Sequence, residues 1–142
     1  MKTVAQLLQL KPGGAISIRP DAPVLDALKL LAEKSLGAVL VMDGSRLVGI
    51  VSERDYARKV ELKGKSALAT PVNEIMTKEV VCVTPGQTNK ECMALMTSKR
   101  LRHLPVIDGE RVVGVLSIGD LVKDAISEQQ FIIEQLEHYI HS

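Results

Sequence analysis

Gly49-Ile50-Val51-Ser52-Glu53-Arg54-Asp55 returns sixty-five residues later as Gly114-Val115-Leu116-Ser117-Ile118-Gly119-Asp120. The same offset aligns Pro20 with Pro85, Val41 with Val106, Asp43 with Asp108, Gly44 with Gly109, Arg46 with Arg111 and Val48 with Val113. Chance does not hold one register over that length, so the chain is a tandem repeat. Ahead of the repeated core, Val4-Ala5-Gln6-Leu7-Leu8 matches Val72-Asn73-Glu74-Ile75-Met76 at an offset of sixty-eight, which places three extra residues around Lys11-Pro12-Gly13-Gly14. The expected organisation is a first unit over 1–60, a linker over 61–71, a second unit over 72–126 and an amphipathic C-terminal helix over 127–142.

Each unit carries the same local signals. Ile16 to Arg19 and Val80 to Thr84 are β-branched runs closed by Pro20 and Pro85, the pattern of a short strand ending in a turn. A helix follows, with Val24, Leu25, Leu28, Leu31 and Ala32 expected on its buried face, and Cys92, Met93, Leu95 and Met96 in the second copy. Ala38 to Met42 and Leu47 to Val51 flank Asp43-Gly44-Ser45; His103 to Ile107 and Val112 to Leu116 flank Asp108-Gly109-Glu110. Asp-Gly between apolar runs signals a hairpin. Helical patterning resumes after Ser52 and Ser117. The fold class expected is α+β, with strand, helix, strand, strand, helix in each unit. A last helix from Asp124 to Ile140 carries Phe131, Ile132, Leu136, Tyr139 and Ile140 on one side.

Composition narrows the partners. Eighteen Lys and Arg stand against seventeen Asp and Glu, so no long-range field draws nucleic acid or an anionic membrane. Only Tyr56, Phe131 and Tyr139 are aromatic, too few for a platform on which bases stack. Nucleic acid and membrane are therefore not expected partners, and the cytoplasm is the expected compartment. Cys82 and Cys92 sit in no metal-ligand spacing. His138 and His141, three apart, lack a third ligand. Gly64-Lys65-Ser66 has Lys59 where a phosphate-binding loop needs its first glycine. No catalytic cofactor and no enzymatic activity are expected, since no nucleophile with a neighbouring base and no paired carboxylates are evident.

The chemistry lies in the repeated Ser-x-x-Asp. A serine at a strand-to-helix junction sets its hydroxyl beside the unpaired N–H groups of the first turn, where an anion is favoured. An aspartate three residues on can accept hydrogen bonds from both hydroxyls of a ribose diol. The preceding glycine permits close approach of another segment or a ligand ring. The same Ser-x-x-Asp is also a plain capping box, which serves only the helix end.

Taken together, the paired Gly-Ile-Val-Ser-Glu-Arg-Asp and Gly-Val-Leu-Ser-Ile-Gly-Asp, the Asp-Gly hairpins and the strands ending at proline resemble a pair of cystathionine-β-synthase-type (CBS) domains over Val4 to Ile126. The resemblance implies two pseudo-twofold-related units and clefts that take AMP, ATP, S-adenosylmethionine or NAD-type dinucleotides. It implies that Ser52 and Asp55 face Thr84, Asn89, Leu101, Arg102 and His103, and that Ser117 and Asp120 face Arg19, Val24, Leu36, Gly37 and Ala38. With Arg54, Arg102 and His103 gathered near Asp55, that cleft is expected to hold a phosphate-bearing nucleotide more tightly. The implied role is a regulatory sensor acting on an unidentified protein partner, as a homodimer. A ligand-independent association module is the alternative.

Overall fold

The computed structural model describes residues 1–11 and 14–141, so Pro12 and Gly13, where the extra loop residues were expected, lie outside the described residues. In chain order the elements are α1 (Val4–Gln9), β1 (Ser17–Ile18), α2 (Val24–Lys34), β2 (Ala38–Asp43), β3 (Arg46–Ser52), α3 (Glu53–Tyr56), α4 (Asn89–Lys99), β4 (His103–Asp108), β5 (Arg111–Ser117) and α5 (Ile118–His141). A π turn over Ala57–Glu61 extends α3, and a 3-10 turn spans Val72–Glu74. This is a mixed α+β fold.

Two compact units emerge: Ala15–Val81, and Met1–Gly14 joined with Cys82–Ser142. Their bounds differ from those of the sequence repeats, because the segment ahead of each core folds with the other core. The hydrogen bonds show the reason. Within Ala15–Val81, the first N–H of α2, on Val24, donates to Thr70 O at 2.8 Å, while Val72 and Asn73 donate to Ala22 and Pro20 carbonyls. Within the other unit, Asn89 at the start of α4 donates to Lys2 O at 3.0 Å, while Val4 and Ala5 donate to Gln87 and Pro85 carbonyls. Residues 2–5 thus do for α4 what 70–73 do for α2: Lys2 and Thr70 each supply an acceptor to a helix N–H group that has none of its own, and the residues after them donate to the loop ahead of the helix.

In Ala15–Val81 the sheet runs β1-β2-β3, with β1 parallel to β2 and the β2–β3 hairpin antiparallel. The turn is possible because Gly44 takes φ 62°, and Gly109 does the same at 66° in the other hairpin. Val24, Ala27 and Leu31 of α2 bury against Val39, Val41 and Val51 of the sheet, closed by Val60, Val72 and Ile75. Ala27 is buried and Ala32, expected there, is exposed. At 3.6 residues per turn Ala32 lies roughly 100° from the middle of the stripe formed by 24, 27 and 31.

The second unit pairs only β4 with β5. The strand expected over Val80 to Thr84 is reduced to one bridge, Val83 with Val106. Pro105 explains the loss. Its counterpart Leu40 donates its N–H to Ile16 O at 3.1 Å, and proline has no N–H to give. The bonds Val83 N to Pro105 O and Ile107 N to Val83 O, both 2.9 Å, survive. Leu104, Val106 and Leu116 of the sheet are buried, as are Cys92 and Met96 of α4, Val4 and Leu7 of α1 and Leu121 of α5. The second unit's closing helix and the expected C-terminal helix are one continuous element, α5.

The glycine ahead of each Ser-x-x-Asp admits another segment of the chain. A Cβ on Gly49 would lie 2.6 Å from Met76 Sδ and 3.0 Å from the Thr77 carbonyl oxygen; one on Gly114 would lie 2.7 Å from a Leu8 methyl. In both units it is the segment ahead of the other core that presses on the hairpin at this point.

Candidate functional site

Both Ser-x-x-Asp turns form the capping geometry. Ser52 donates its N–H and its hydroxyl to Asp55 Oδ2 at 2.9 and 3.0 Å, and Asp55 N–H returns a bond to Ser52 Oγ at 3.1 Å. Ser117 N–H donates to Asp120 Oδ2 at 2.8 Å, and Asp120 N–H to Ser117 Oγ at 3.2 Å. Each turn is stitched to the entrance of its own hairpin. Glu53 N–H donates to Gly37 O in one unit, and Ile118 N–H to Arg102 O in the other. Ala38 stands opposite Ser52 in the ladder, and His103 opposite Ser117.

A lysine holds each aspartate, and sequence reasoning missed both. Lys59 Nζ lies 3.1 Å from Asp55 Oδ1 and also donates to Ile75 O. Lys11 Nζ lies 2.9 Å from Asp120 Oδ2 and donates to Val115 O at 2.7 Å. Lys59 was findable at four residues beyond Asp55 on a helical turn. Nothing local could have marked Lys11, which reaches Asp120 only through the packing of the N-terminal segment.

The two carboxylates differ in what they leave open. Asp55 has both oxygens engaged and a side chain only 14% exposed. Asp120 takes both its bonds on Oδ2, leaving Oδ1 without a partner among the described residues, and is 30% exposed. Burial pushes the Asp120 carboxyl up, but the Ser117 N–H and the Lys11 ammonium more than reverse this and hold it below the usual carboxylate value. Beside it, burial and the Lys11 charge push the His103 imidazole down, with Asp120 opposing and Arg102 assisting. Lys11 also closes a cleft of about 220 Å³ whose lining includes Lys2, Leu7, Asp120 and Lys123.

Asp120 begins a row of acids along α5 at four-residue spacing, each met by a cation from the first eleven residues. Lys2 Nζ lies 2.7 Å from Asp124 Oδ1, and the Met1 ammonium 2.9 Å from Glu128. Asp124 is 3% exposed and also accepts from Asn89 Nδ2 at 2.7 Å. Burial raises its carboxyl; the hydrogen bonds from Lys2 and Asn89, with the charge of Lys2, hold it below the usual value.

The remaining residues expected at the sites fall as follows. Arg102 is exposed and Leu101 half-buried in the unit of Asp120, where Thr84 is exposed at the bend before Pro85. Asn89 is buried there, and its Nδ2 serves Leu121 O and Asp124. In the unit of Asp55, Arg54 and Gly37 are exposed and Leu36 is half-buried against the core. Arg19 is largely exposed and paired with Asp21 at 3.2 Å. Val24 is wholly buried in the core. The structure therefore gives Val24 and Asn89 packing and hydrogen-bonding roles inside their own units. Among the described residues no cluster of His, Cys, Asp and Glu could hold a metal, and no helix is long and apolar enough to cross a membrane.

The repeated hairpin ending in a Ser-x-x-Asp capped helix coincides with two matches to one family model, the CBS domain, over residues 14–62 and 72–126. The chain belongs to the CBS domain family. It is 38% identical over 125 residues to the mitochondrial CBS domain-containing protein CBSX3 of Arabidopsis thaliana, covering 84% of this chain and 61% of that relative's length. The chain thus spans under two thirds of that protein. The solved CBS-domain structure NE2398 superposes with a TM-score of 0.84 at 51% identity, over 88% of this chain and 98% of the other. The CBS domain pair of protein MJ0100, in complex with 5′-methylthioadenosine and S-adenosyl-L-methionine, shares the fold at a TM-score of 0.79 and 21% identity, over 90% of this chain and 98% of the other.

Proposed function

We propose that this CBS pair binds an adenosine-containing ligand at its Ser-x-x-Asp turns and passes the occupancy to a protein partner, with no catalytic step of its own. One observation carries the reading: among the described residues Asp120 Oδ1 has no partner, and it lies at a helix N-terminus next to Lys11 and His103. A ribose diol suits that oxygen, and a phosphate suits the cations around it. The bound complex of the MJ0100 pair shows that this fold can accommodate adenosine compounds.

The groups we propose for ligand contact in the unit of Asp120 are Ser117, Asp120, Arg102, His103, Leu101 and Thr84, with Lys11 added. In the other unit they are Ser52, Asp55, Arg54, Arg19, Leu36, Gly37 and Ala38. The sequence ranking of the Asp55 turn rests on Arg54 together with Arg102 and His103 reaching it from the other repeat; we rank the Asp120 turn first instead, because within its own unit it has His103 opposite Ser117 and Lys11 on its carboxylate. AMP, ATP and NAD are the proposed ligands, the phosphate being what Lys11 and Arg102 recognise; the cytoplasm is the proposed compartment.

Thermal denaturation with each nucleotide tests the reading. A ligand bound only by the native state stabilises it by about 2.7 kcal/mol at a hundred times its Kd, a rise of roughly 5–10 °C for a chain of this size. No rise with AMP, ATP, NAD or S-adenosylmethionine at millimolar concentration rejects it. One observation favours a second reading, a ligand-independent association module: both aspartates already cap their helices and hold lysines. Under that reading Asp120→Asn lowers stability and no nucleotide raises it.

A further inference from the structure

The cleft that Lys11 closes runs on past Asp120, inside a single unit. Lys2, Leu7 and Lys11 line it from the N-terminal segment, and Asp120, Lys123 and Ser127 from α5. From Asp120 to Ser127 it follows two turns of helix, roughly 10 Å at 1.5 Å per residue. Its volume of about 220 Å³ falls below the roughly 300–1,000 Å³ of a pocket that takes a whole ligand. It suits one part of a ligand whose remainder lies at the Asp120 turn.

Three ammonium groups line that length, and each has donors to spare. An ammonium offers three N–H groups. Lys2 spends one on Asp124 Oδ1, and Lys11 spends two, on Asp120 Oδ2 and Val115 O. Lys123 is exposed and has no partner among the described residues. The two acids at the groove, Asp120 and Asp124, are matched by Lys11 and Lys2, so the charge of Lys123 stands in excess. The repeat does not reproduce this arrangement. At the offset of sixty-eight, Thr70 and Glu79 stand where Lys2 and Lys11 do, and the other unit cannot gather the same cations.

We propose that this groove is a site for a phosphate chain, and that the chain belongs to a nucleoside di- or triphosphate whose ribose lies at the Asp120 turn. The second half of the proposal rests on the reading that this turn holds an adenosine-containing ligand. Lysine meets phosphate oxygens as a point charge. Lys11 stands level with Asp120 and Lys2 one turn on, level with Asp124, with Lys123 between them in sequence. A single phosphate at the turn reaches only the first of these ammonium groups, whereas a chain of phosphates directed along α5 meets all three. The turn then selects polyphosphorylated ligands over AMP. An inorganic polyphosphate carries the same chain without adenosine, so the two sources need separate titrations.

Calorimetry of the full chain without divalent cations provides them, with AMP, ATP and inorganic tripolyphosphate as probes. ATP is expected to bind about tenfold or more tightly than AMP, with an excess that shrinks as added salt screens the exposed charges, and tripolyphosphate is expected to compete with ATP. Lys123→Glu is expected to bring the ratio of ATP to AMP affinity below about threefold, and Lys123→Arg, which keeps the charge, to retain it. Lys123 holds no other residue in place, so an unchanged Tm without ligand shows that the variant folds. With nucleotides bound, an ATP affinity no greater than that of AMP, or a ratio that Lys123→Glu leaves intact, overturns the groove and spares the reading of the Asp120 turn. With no nucleotide bound, that reading fails; tripolyphosphate binding that Lys123→Glu abolishes then assigns the groove to free polyphosphate, and no tripolyphosphate binding overturns the groove as well.

Discussion

The two units repeat one plan, yet they solve the same problem with different residues. In Ala15–Val81, Asp55 is balanced by Lys59 from its own helical turn, and both carboxylate oxygens are used. In the other unit the position corresponding to Lys59 is Asp124, which cannot serve, and Asp120 is balanced by Lys11 from the other end of the chain. Inverting that one charge has two consequences. Asp124 is buried and needs Lys2, and Asp120 keeps one oxygen without a partner among the described residues. The unit that depends on the N-terminal segment for its charge balance is also the one with the more available carboxylate.

The largest expected effect breaks that dependence. Lys2→Ala leaves the Asp124 carboxylate buried with only Asn89 to hold it, and is expected to cost about 2–3 kcal/mol at pH 7 in urea denaturation. Because the Asp124 carboxyl is held below its ordinary value, its contribution is present above the ordinary carboxylate value near 3.9 and is lost as pH falls through the folded-state value. The gap between parent and variant should therefore close towards pH 3. An equal gap at pH 7 and pH 3 would contradict the buried pair.

Next come the glycines. Gly49→Ala meets a backbone carbonyl at 3.0 Å as well as a methionine side chain, whereas Gly114→Ala meets only the end of Leu8. The first is expected to cost about 1–3 kcal/mol by overpacking and the second less, because a side chain can move and a carbonyl in a ladder cannot. Equal losses in Tm would remove this distinction between the units. For ligand, calorimetry should show Asp120→Ala weakening nucleotide binding at least tenfold, about 1.4 kcal/mol, with Asp55→Ala weaker in effect. The reverse order would restore the ranking drawn from the cations in sequence.

The smallest effect is one on which the units should agree. Ser35 and Arg100 end α2 and α4 in the left-handed region, at φ 54° and 55°, a conformation glycine takes at no steric cost. Ser35→Gly and Arg100→Gly should each stabilise by about 0.5–1 kcal/mol, partly offset by the entropy glycine brings to the unfolded chain. A loss at either site would show that the native side chain makes a contact worth more than the strain.

Local sequence was enough for the hairpins, the capped turns and the two long helices, because each is set by neighbours within a few residues: Asp-Gly at the turn, Ser-x-x-Asp at the cap, apolar spacing along α2. It misjudged the strand over Val80 to Thr84, whose partner's missing N–H lies on Pro105, more than twenty residues away. It chose Ala32 over Ala27 because both alanines flank the stripe, and only packing against the sheet decides which side is covered.

What the sequence by itself determined is the repeat, the α+β plan and the place of the two aspartates, since offset and residue type suffice for all three. What only the tertiary structure decided is which segment joins which core, and with it the cation on Asp120. The carbonyl that satisfies the first N–H group of α4, and the ammonium that meets Asp120, come from residues 2–11, and no local rule links those residues to positions more than eighty residues further along the chain.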